Sequence, residues 1–159
     1  MKDQLHIRLA TIEDREKIMS FIRNNWLKNH ILGNDISFFE YQYKYGKNLQ
    51  FILAVSSEKI IKGVLGFLQY DPKNKNQDIF LAFWKVIHTK EDKMLGIRLL
   101  EYLIKNIKHS NIHSVGIDKK IINIFKFLRF NTGKLDHYVA FNKFCKNFII
   151  SKPPLNLKK

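Results

Sequence analysis

The sequence predicts an α/β fold, with a mixed β-sheet of about seven strands flanked by about four helices. Strand and helix patterns alternate along nearly the whole chain of 159 residues. Two apolar runs at 51–55 and 60–70 are separated only by a polar turn, which predicts a hairpin of antiparallel strands. Later strands are separated by helical patterns, which indicates crossover connections between parallel strands. Hairpins and crossovers in one chain together predict a mixed sheet.

The first third of the chain predicts one strand and two helices. Residues 5–10 alternate apolar and polar side chains, as a half-buried strand does. Thr11, followed three residues later by Asp14, has the spacing of a capping box and predicts the start of a helix that ends near 30–33. Asp35 predicts the start of a shorter helix that reaches Tyr45 and stops at Gly46.

The remaining elements complete the sheet. The run 78–88 is aromatic and almost continuously apolar, which predicts a strand in the interior of the sheet. A polar loop then tightens at Gly96 and leads into a helix with apolar residues at helical spacing up to Ile107. We expect a strand at 112–117, a helix capped by Asp118, and closing strands at 130–142 and 147–151. The predicted organisation is a single domain, 1–152, followed by a basic tail, 153–159.

Composition limits the function classes. The formal net charge is +14, which suits a protein that binds nucleic acid, an anionic membrane surface or a small polyanionic ligand. Alternatively, the lysine excess reflects only an AT-rich coding bias. The basic residues are scattered along the chain, which makes a nucleic-acid partner the weaker interpretation. Cys145 is the only cysteine, so neither an intrachain disulfide nor a thiolate metal cluster is expected. No predicted helix carries the His-x-x-x-His pair that would indicate a metal site. With no signal-peptide pattern and no apolar stretch of about 20 residues, we expect a cytoplasmic protein without membrane insertion.

The order of elements and the stretch 86–103 resemble the GNAT N-acetyltransferases. In that family a loop of the form Arg/Gln-x-x-Gly-x-Gly/Ala opens a helix that contains a Leu-Leu run. With the alignment fixed on Leu99 and Leu100, Gly96 matches the last glycine, while Met94 and Glu91 depart from the pattern. The resemblance implies that backbone N–H groups at this helix N-terminus hold the pyrophosphate of coenzyme A. The implied cofactor-binding residues are Lys85, Val86, Ile87, Lys93, Met94, Leu95, Gly96, Ile97 and Arg98.

A second departure concerns the acid that protonates the leaving thiolate. The family often carries Tyr-x-x-x-Gly-Phe at the end of the next helix, and the tyrosine commonly has this role. Here the same spacing gives Phe125 and Arg129-Phe130, and a phenyl ring cannot donate a proton. The resemblance therefore leaves the acid unassigned.

Three further runs, 26–32, 78–86 and 133–138, look like GNAT-like proteins encoded among bacterial surface-polysaccharide genes. In that subgroup the glycine loop is also degenerate. The resemblance implies that the acceptor is a nucleotide-linked amino sugar.

Acyl transfer to an amine needs a polarised thioester carbonyl and a base for the amine proton, and a backbone N–H near Val86 is the expected polarising group. The candidate bases are His30, His137, Asp78 and Glu40, and Tyr138 is a candidate for the thiol-side acid. Each has a purely structural alternative as a surface or packing residue. Trp26 and Trp84 belong either to the core or to a stacking surface for a sugar or base. The candidate substrate-binding residues are Trp26, Glu40, Asp78 and Trp84.

The sequence therefore predicts an acyl-CoA-dependent N-acyltransferase that uses acetyl-CoA and a small amine, with a homodimer as an open possibility. The alternative is a catalytically degenerate GNAT-like module that binds nucleic acid or a partner protein.

Overall fold

A computed structural model describes residues 5–71, 73–74, 76–87 and 92–136. These residues divide into two compact units, one within 1–116 and one within 117–159. The first unit carries a β-sheet and the helices α1 to α4, and the second carries the helix α5. No described helix is long and apolar enough to cross a membrane.

The sheet is mixed, and this confirms the predicted fold class. Its described strands run in the spatial order β1-β3-β4-β5-β6, with β2 paired to β3 off this path. All neighbours are antiparallel except β5 and β6, which are parallel. The part of the chain that is described has six strands, where the sequence predicts about seven. The strands are β1 His6–Thr11, β2 Lys44–Tyr45, β3 Asn48–Val55, β4 Ile61–Leu68, β5 Ile79–Val86 and β6 Ile112–His113.

The capping box forms as predicted, but the first helix is shorter than expected. The backbone N–H of Thr11 donates to Asp14 Oδ2 (2.9 Å), and the chain passes through a 3-10 turn into α1, Arg15–Asn25. The predicted end near 30–33 is wrong because the chain leaves the helix at Trp26 and starts the short helix α2, Ile31–Asn34, at His30. The Asn34 amide donates to the carbonyls of Lys28 (2.9 Å) and His30 (2.8 Å), which stabilises this break.

Helices cover both faces of the sheet. Helix α3, Ile36–Tyr43, begins at Asp35, whose carboxylate accepts the N–H of Phe38 (2.9 Å). Its buried Phe39 stacks on Phe51 of β3 with ring centroids 5.5 Å apart. Side chains of α1, α2 and α3 share one core cluster with β1, β3 and β4, including Val64. The neighbouring Gly63 instead faces Leu95 and Leu99 of α4, Leu95–Asn106, so α4 lies on the opposite face.

The last described segments are shorter than the sequence predicts. The strand expected at 112–117 ends at His113, and the positive φ of 74° at Gly116 then turns the chain away from an extended path. Helix α5, Ile122–Phe127, follows a 3-10 turn that starts after Asp118. The strand expected from 130 is absent from 130–136, and the rest of both closing strands lies outside the described residues.

Candidate active site

Strand β5 opens away from β6 part-way along its length. The two strands pair only at Ile79–Ile112 and Phe80–His113, and the Ser114 hydroxyl then donates to the carbonyl of Leu81 (3.0 Å). From Ala82 to Val86, no described strand pairs with this edge of β5. The opening therefore exposes a strand edge inside the sheet, next to the start of α4.

A β-bulge lies where the opening begins. On the β4 side, Phe83 pairs with Gly66 and Leu81 with Phe67, so Ala82 has no partner in the register. A bulge adds one unpaired residue and bends the strand, which re-aims the residues that follow. The bulge therefore coincides with the point beyond which β5 has no described partner on the β6 side.

The ladder alternation fixes where the backbone N–H of Val86 points. The N–H of Ile87 donates to the carbonyl of Lys62 (2.8 Å), so the amide of Ile87 is already occupied by protein. Antiparallel ladders alternate hydrogen-bonded and non-hydrogen-bonded pairs, and Val86 pairs with Gly63 in the intervening position. The N–H of Val86 therefore points away from β4, toward the open side of β5.

Three amides of the first turn of α4 find no partner in the part of the chain that the structure describes. The first backbone bond of the helix runs from the N–H of Arg98 to the carbonyl of Met94 (3.0 Å). The N–H groups of Leu95, Gly96 and Ile97 have no acceptor among the described residues. Free amides at the positive end of a helix dipole form an anion-binding surface.

Trp84 lies against this first turn, and glycine at position 96 leaves room for this close contact. A Cβ added to Gly96 would lie 3.3 Å from Nε1 of the Trp84 indole. The indole belongs to β5, so it links the open strand directly to the helix N-terminus. Sequence reasoning placed Trp84 with the acceptor, whereas its observed contact is with a predicted cofactor-binding residue.

The basic side chains around the loop are not equivalent. Arg98 forms an ion pair with Asp92, and Asp92 Oδ1 also accepts the N–H of Met94 (3.2 Å). Lys93 is exposed and Lys85 is half-buried, and neither has an ion pair with any described residue. Sequence reasoning missed Asp92, although an aspartate three residues before a helix start is a recognisable Asx-turn signal.

His30 and Trp26 come together on the other face of β5. The two rings are 4.5 Å apart between centroids, and Trp26 also packs edge-on to Phe83 of β5 at 4.8 Å. Trp26 is nevertheless 48% exposed. This places His30, through Trp26, beside the residue that follows the bulge.

A hydrogen bond fixes the tautomer of neutral His30. Its Nδ1 accepts the N–H of Leu32 (3.2 Å), which makes His30 the N-cap of α2. In the neutral ring the proton then resides on Nε2, so that atom donates a hydrogen bond. A base role for Nε2 would require the proton on Nδ1 and the loss of this cap, which costs about 1 kcal/mol.

The other candidate bases lie in different surroundings. Glu40 accepts from Lys44 (2.7 Å) and Arg15, and these two hydrogen bonds lower the pKa of its carboxyl. The Asp78 carboxylate accepts a hydrogen bond from the Asn111 amide (3.0 Å). Asp78 immediately precedes β5, so the eight residues of this strand place it about 25 Å from Val86 at the other end. His137 and Tyr138 lie outside the described residues.

Phe125, at the position of the family tyrosine, is buried within the second unit. Its ring packs edge-on to Phe130 with centroids 5.4 Å apart. Among the residues that the structure describes, no three His, Cys, Asp or Glu side chains group as metal ligands would.

Comparison with known proteins places the fold. No protein-family model and no curated protein sequence matches the chain. Solved structures do match. One is a protein of Pyrococcus furiosus named as an acetyl transferase, with a TM-score of 0.63 and 13% identity, over 87% of this chain and 100% of that one. The chain has the GNAT acetyltransferase fold.

Two further structures have the same fold. The aminoglycoside N-acetyltransferase AAC(6')-Iy in complex with CoA matches with a TM-score of 0.61 and 12% identity, over 91% of this chain and 98% of that one. A GNAT-family acetyltransferase of Streptococcus pneumoniae matches with a TM-score of 0.54 and 11% identity, over 88% of this chain and 99% of that one. At these identities the likeness concerns the fold alone.

Proposed function

We propose that this protein is an acyl-CoA-dependent N-acyltransferase that transfers an acetyl group from acetyl-CoA to a small amine. One observation carries the proposal: β5 opens beside a helix whose first-turn amides are unpaired. The opening suits an extended pantetheine arm, and the amides suit the pyrophosphate. A neighbour with the same fold, AAC(6')-Iy, has been solved with CoA, which supports this choice of donor.

The donor site is proposed to use backbone more than side chains. The pyrophosphate accepts from the amides of Leu95, Gly96 and Ile97, and the exposed Lys93 adds positive charge. The thioester carbonyl accepts the N–H of Val86, which polarises the carbonyl as negative charge develops on oxygen. A donor aimed at that oxygen contributes roughly 10²–10³ in rate in other acyl transfers.

The acceptor is proposed to approach from the side of Trp26 and His30. Its neutral amine attacks the carbonyl carbon, the carbon–sulfur bond breaks, the nitrogen loses one proton, and the leaving thiolate takes up one proton. His30 orients the acceptor by donating through Nε2, while orientation itself supplies much of the rate. His137 as base and Tyr138 as thiol-side acid stay predictions.

A nucleotide-linked amino sugar is the proposed acceptor class. The resemblance to surface-polysaccharide proteins motivates this choice. The half-exposed Trp26 offers a stacking face for a sugar or base, and the half-buried Lys85 offers a charge for a diphosphate. An assay of thiol release from acetyl-CoA should therefore respond to nucleotide-linked amino sugars more strongly than to the free sugars.

Calorimetry with coenzyme A tests the proposed donor. We expect a dissociation constant of about 1 μM to 1 mM, and at least tenfold weaker binding of pantetheine, which lacks the pyrophosphate. No heat of binding up to millimolar coenzyme A would exclude the enzyme. Tight, steeply salt-dependent binding of nucleic acid in its place would favour the alternative module.

A further inference from the structure

A second cavity lies at the edge of the sheet away from the β5 opening. It has a volume of about 280 Å³ and lies where β1 begins and β3 turns into β4. Its described lining comes from β1, β3, β4 and the segments beside them, and it includes no residue of β5 or of the candidate active site. Its lining side chains include four basic residues, His6, Arg8, Lys17 and Lys59.

Asp14, the one carboxylate among the described lining residues, is already neutralised. Asp14 Oδ1 and Oδ2 accept from the Arg8 guanidinium at 2.7 and 2.6 Å, and Oδ2 also accepts the N–H of Thr11. This fixes the guanidinium in place. His6, Lys17 and Lys59 have no ion pair within the described part of the chain. Among the described residues, the cavity therefore has an excess of positive charge that no carboxylate balances.

The rest of the lining suits a ligand that is both anionic and apolar. Val55 and Ile61 contribute buried apolar surface. Ser56 is only 6% exposed, and its Oγ accepts the N–H of Ile60 (3.2 Å), so its hydroxyl proton is available to a ligand.

The hairpin tip is held in an unusual conformation. Lys59 has a φ of 62°, in the left-handed region that non-glycine residues rarely adopt. Its backbone N–H donates to the carbonyl of Ser56 (2.9 Å), which closes the turn beside the cavity. Strain of this kind concentrates at ligand sites.

We propose that this cavity binds a phosphate monoester that carries a small apolar group. The dianionic phosphate meets Arg8, Lys17 and Lys59, and the apolar group lies on Val55 and Ile61. The volume of about 280 Å³ is just below the roughly 300–1,000 Å³ of ligand pockets, which favours a phosphate with one small ring over a whole nucleotide.

An amide NMR titration with phenyl phosphate tests the proposal. We expect saturable shifts at Val55, Ser56 and Lys59, and weaker binding of both inorganic phosphate and phenol, since each lacks half of the recognised ligand. The double variant Lys17→Gln/Lys59→Gln should weaken phenyl phosphate binding about tenfold, because two charge-assisted contacts are lost. Lys47→Gln is the matched control, since its exposed lysine lies at the opposite end of β3, and it should bind like the wild type.

Three outcomes would overturn the proposal. These are equal affinity of the double variant and the wild type, equal affinity for inorganic phosphate and phenyl phosphate, or shifts confined to α4. Saturating coenzyme A should leave the titration unchanged. A failure to bind coenzyme A would contradict the proposed enzyme but not this site.

Discussion

The stability of the fold depends on pH through the carboxylate of a single residue, Asp14. Burial alone would raise the pKa of its carboxyl, but the hydrogen bonds from Arg8 and Thr11 outweigh burial and hold that pKa below its usual value. The ionised form is therefore the one that the folded state favours. The stabilisation is present above the unfolded pKa of about 3.9 and is lost as the pH falls through the lower folded value.

Replacing this carboxylate should cost stability at neutral pH. We expect Asp14→Asn to lower the free energy of unfolding by about 1–3 kcal/mol at pH 7, because it leaves the Arg8 guanidinium without its partner. Urea unfolding at pH 7 and pH 3 measures this, and the difference should shrink at pH 3. Glu16→Gln is the control, since its 3.5 Å contact with Arg15 is exposed. Equal losses at both pH values would contradict the assignment.

His30 combines a structural and a proposed functional role, and two substitutions separate them. Asn keeps an N-cap acceptor, whereas Ala does not, so His30→Ala should lose about 1 kcal/mol of stability and His30→Asn less than half of that. Both variants should raise the KM for the amine acceptor if Nε2 contacts it. Thermal unfolding and steady-state kinetics measure the two effects. Full activity of His30→Asn would reduce His30 to a helix cap.

The sequence predicts His30 as a candidate site residue, but it does not predict the hydrogen bond from Leu32 that makes His30 a helix N-cap. The sequence pattern carries the first helix through this position, so a cap at His30 has no local signal. The break depends on the Asn34 amide and on the packing of Trp26 against Phe83, and both contacts form only in the folded chain.

At the scale of elements, the contact between α4 and β5 depends on Gly96. In Gly96→Ala the new methyl group would lie 3.3 Å from the Trp84 indole and beside the free amides. We expect coenzyme A to bind about tenfold more weakly, measured by calorimetry, because the methyl group crowds the indole and the amides that are proposed to hold the pyrophosphate. Gly133→Ala is the control, because its Cβ would meet nothing within 4 Å. Trp84→Phe combined with Gly96→Ala should recover part of the affinity, and unchanged binding in Gly96→Ala would be contrary to this geometry.

The end of α5 carries a residue that the backbone does not favour. Arg129 has a φ of 63°, and the N–H groups of Arg129 and Phe130 donate to Lys126 and Phe125 (both 3.0 Å) in a Schellman motif. Arg129→Gly should therefore stabilise the protein by about 1 kcal/mol in urea unfolding. Arg129→Ala should not, since alanine also has a Cβ. A destabilised glycine variant would show that the arginine side chain matters more than the backbone.

Elements with a strong local signal were predictable, and features that depend on pairing were not. The aromatic run of β5 and the apolar spacing of α4 indicate those elements directly. The opening of β5 depends on where the short β6 stops and on the bulge at Ala82. These features arise from pairing with two other strands, β6 about 30 residues later in sequence and β4 about 15 residues earlier.

For the whole molecule, the net charge is +14, and we propose two places where positive groups bind an anion. These are the first turn of α4 and the cavity beside β1. Neither forms the continuous basic surface that nucleic acid requires. A homodimer stays a prediction, which sedimentation of the full chain decides.

An amide NMR titration with acetyl-CoA tests the central claim most directly. The unpaired N–H groups of Val86, Leu95, Gly96 and Ile97 should shift strongly and saturate together, whereas Ile87, already bonded to Lys62, should shift less. Coenzyme A without the acetyl group should shift the amides of α4 as strongly but leave Val86 less perturbed. The account is contradicted if these amides do not respond at saturation, or if the response centres on residues outside β5 and α4.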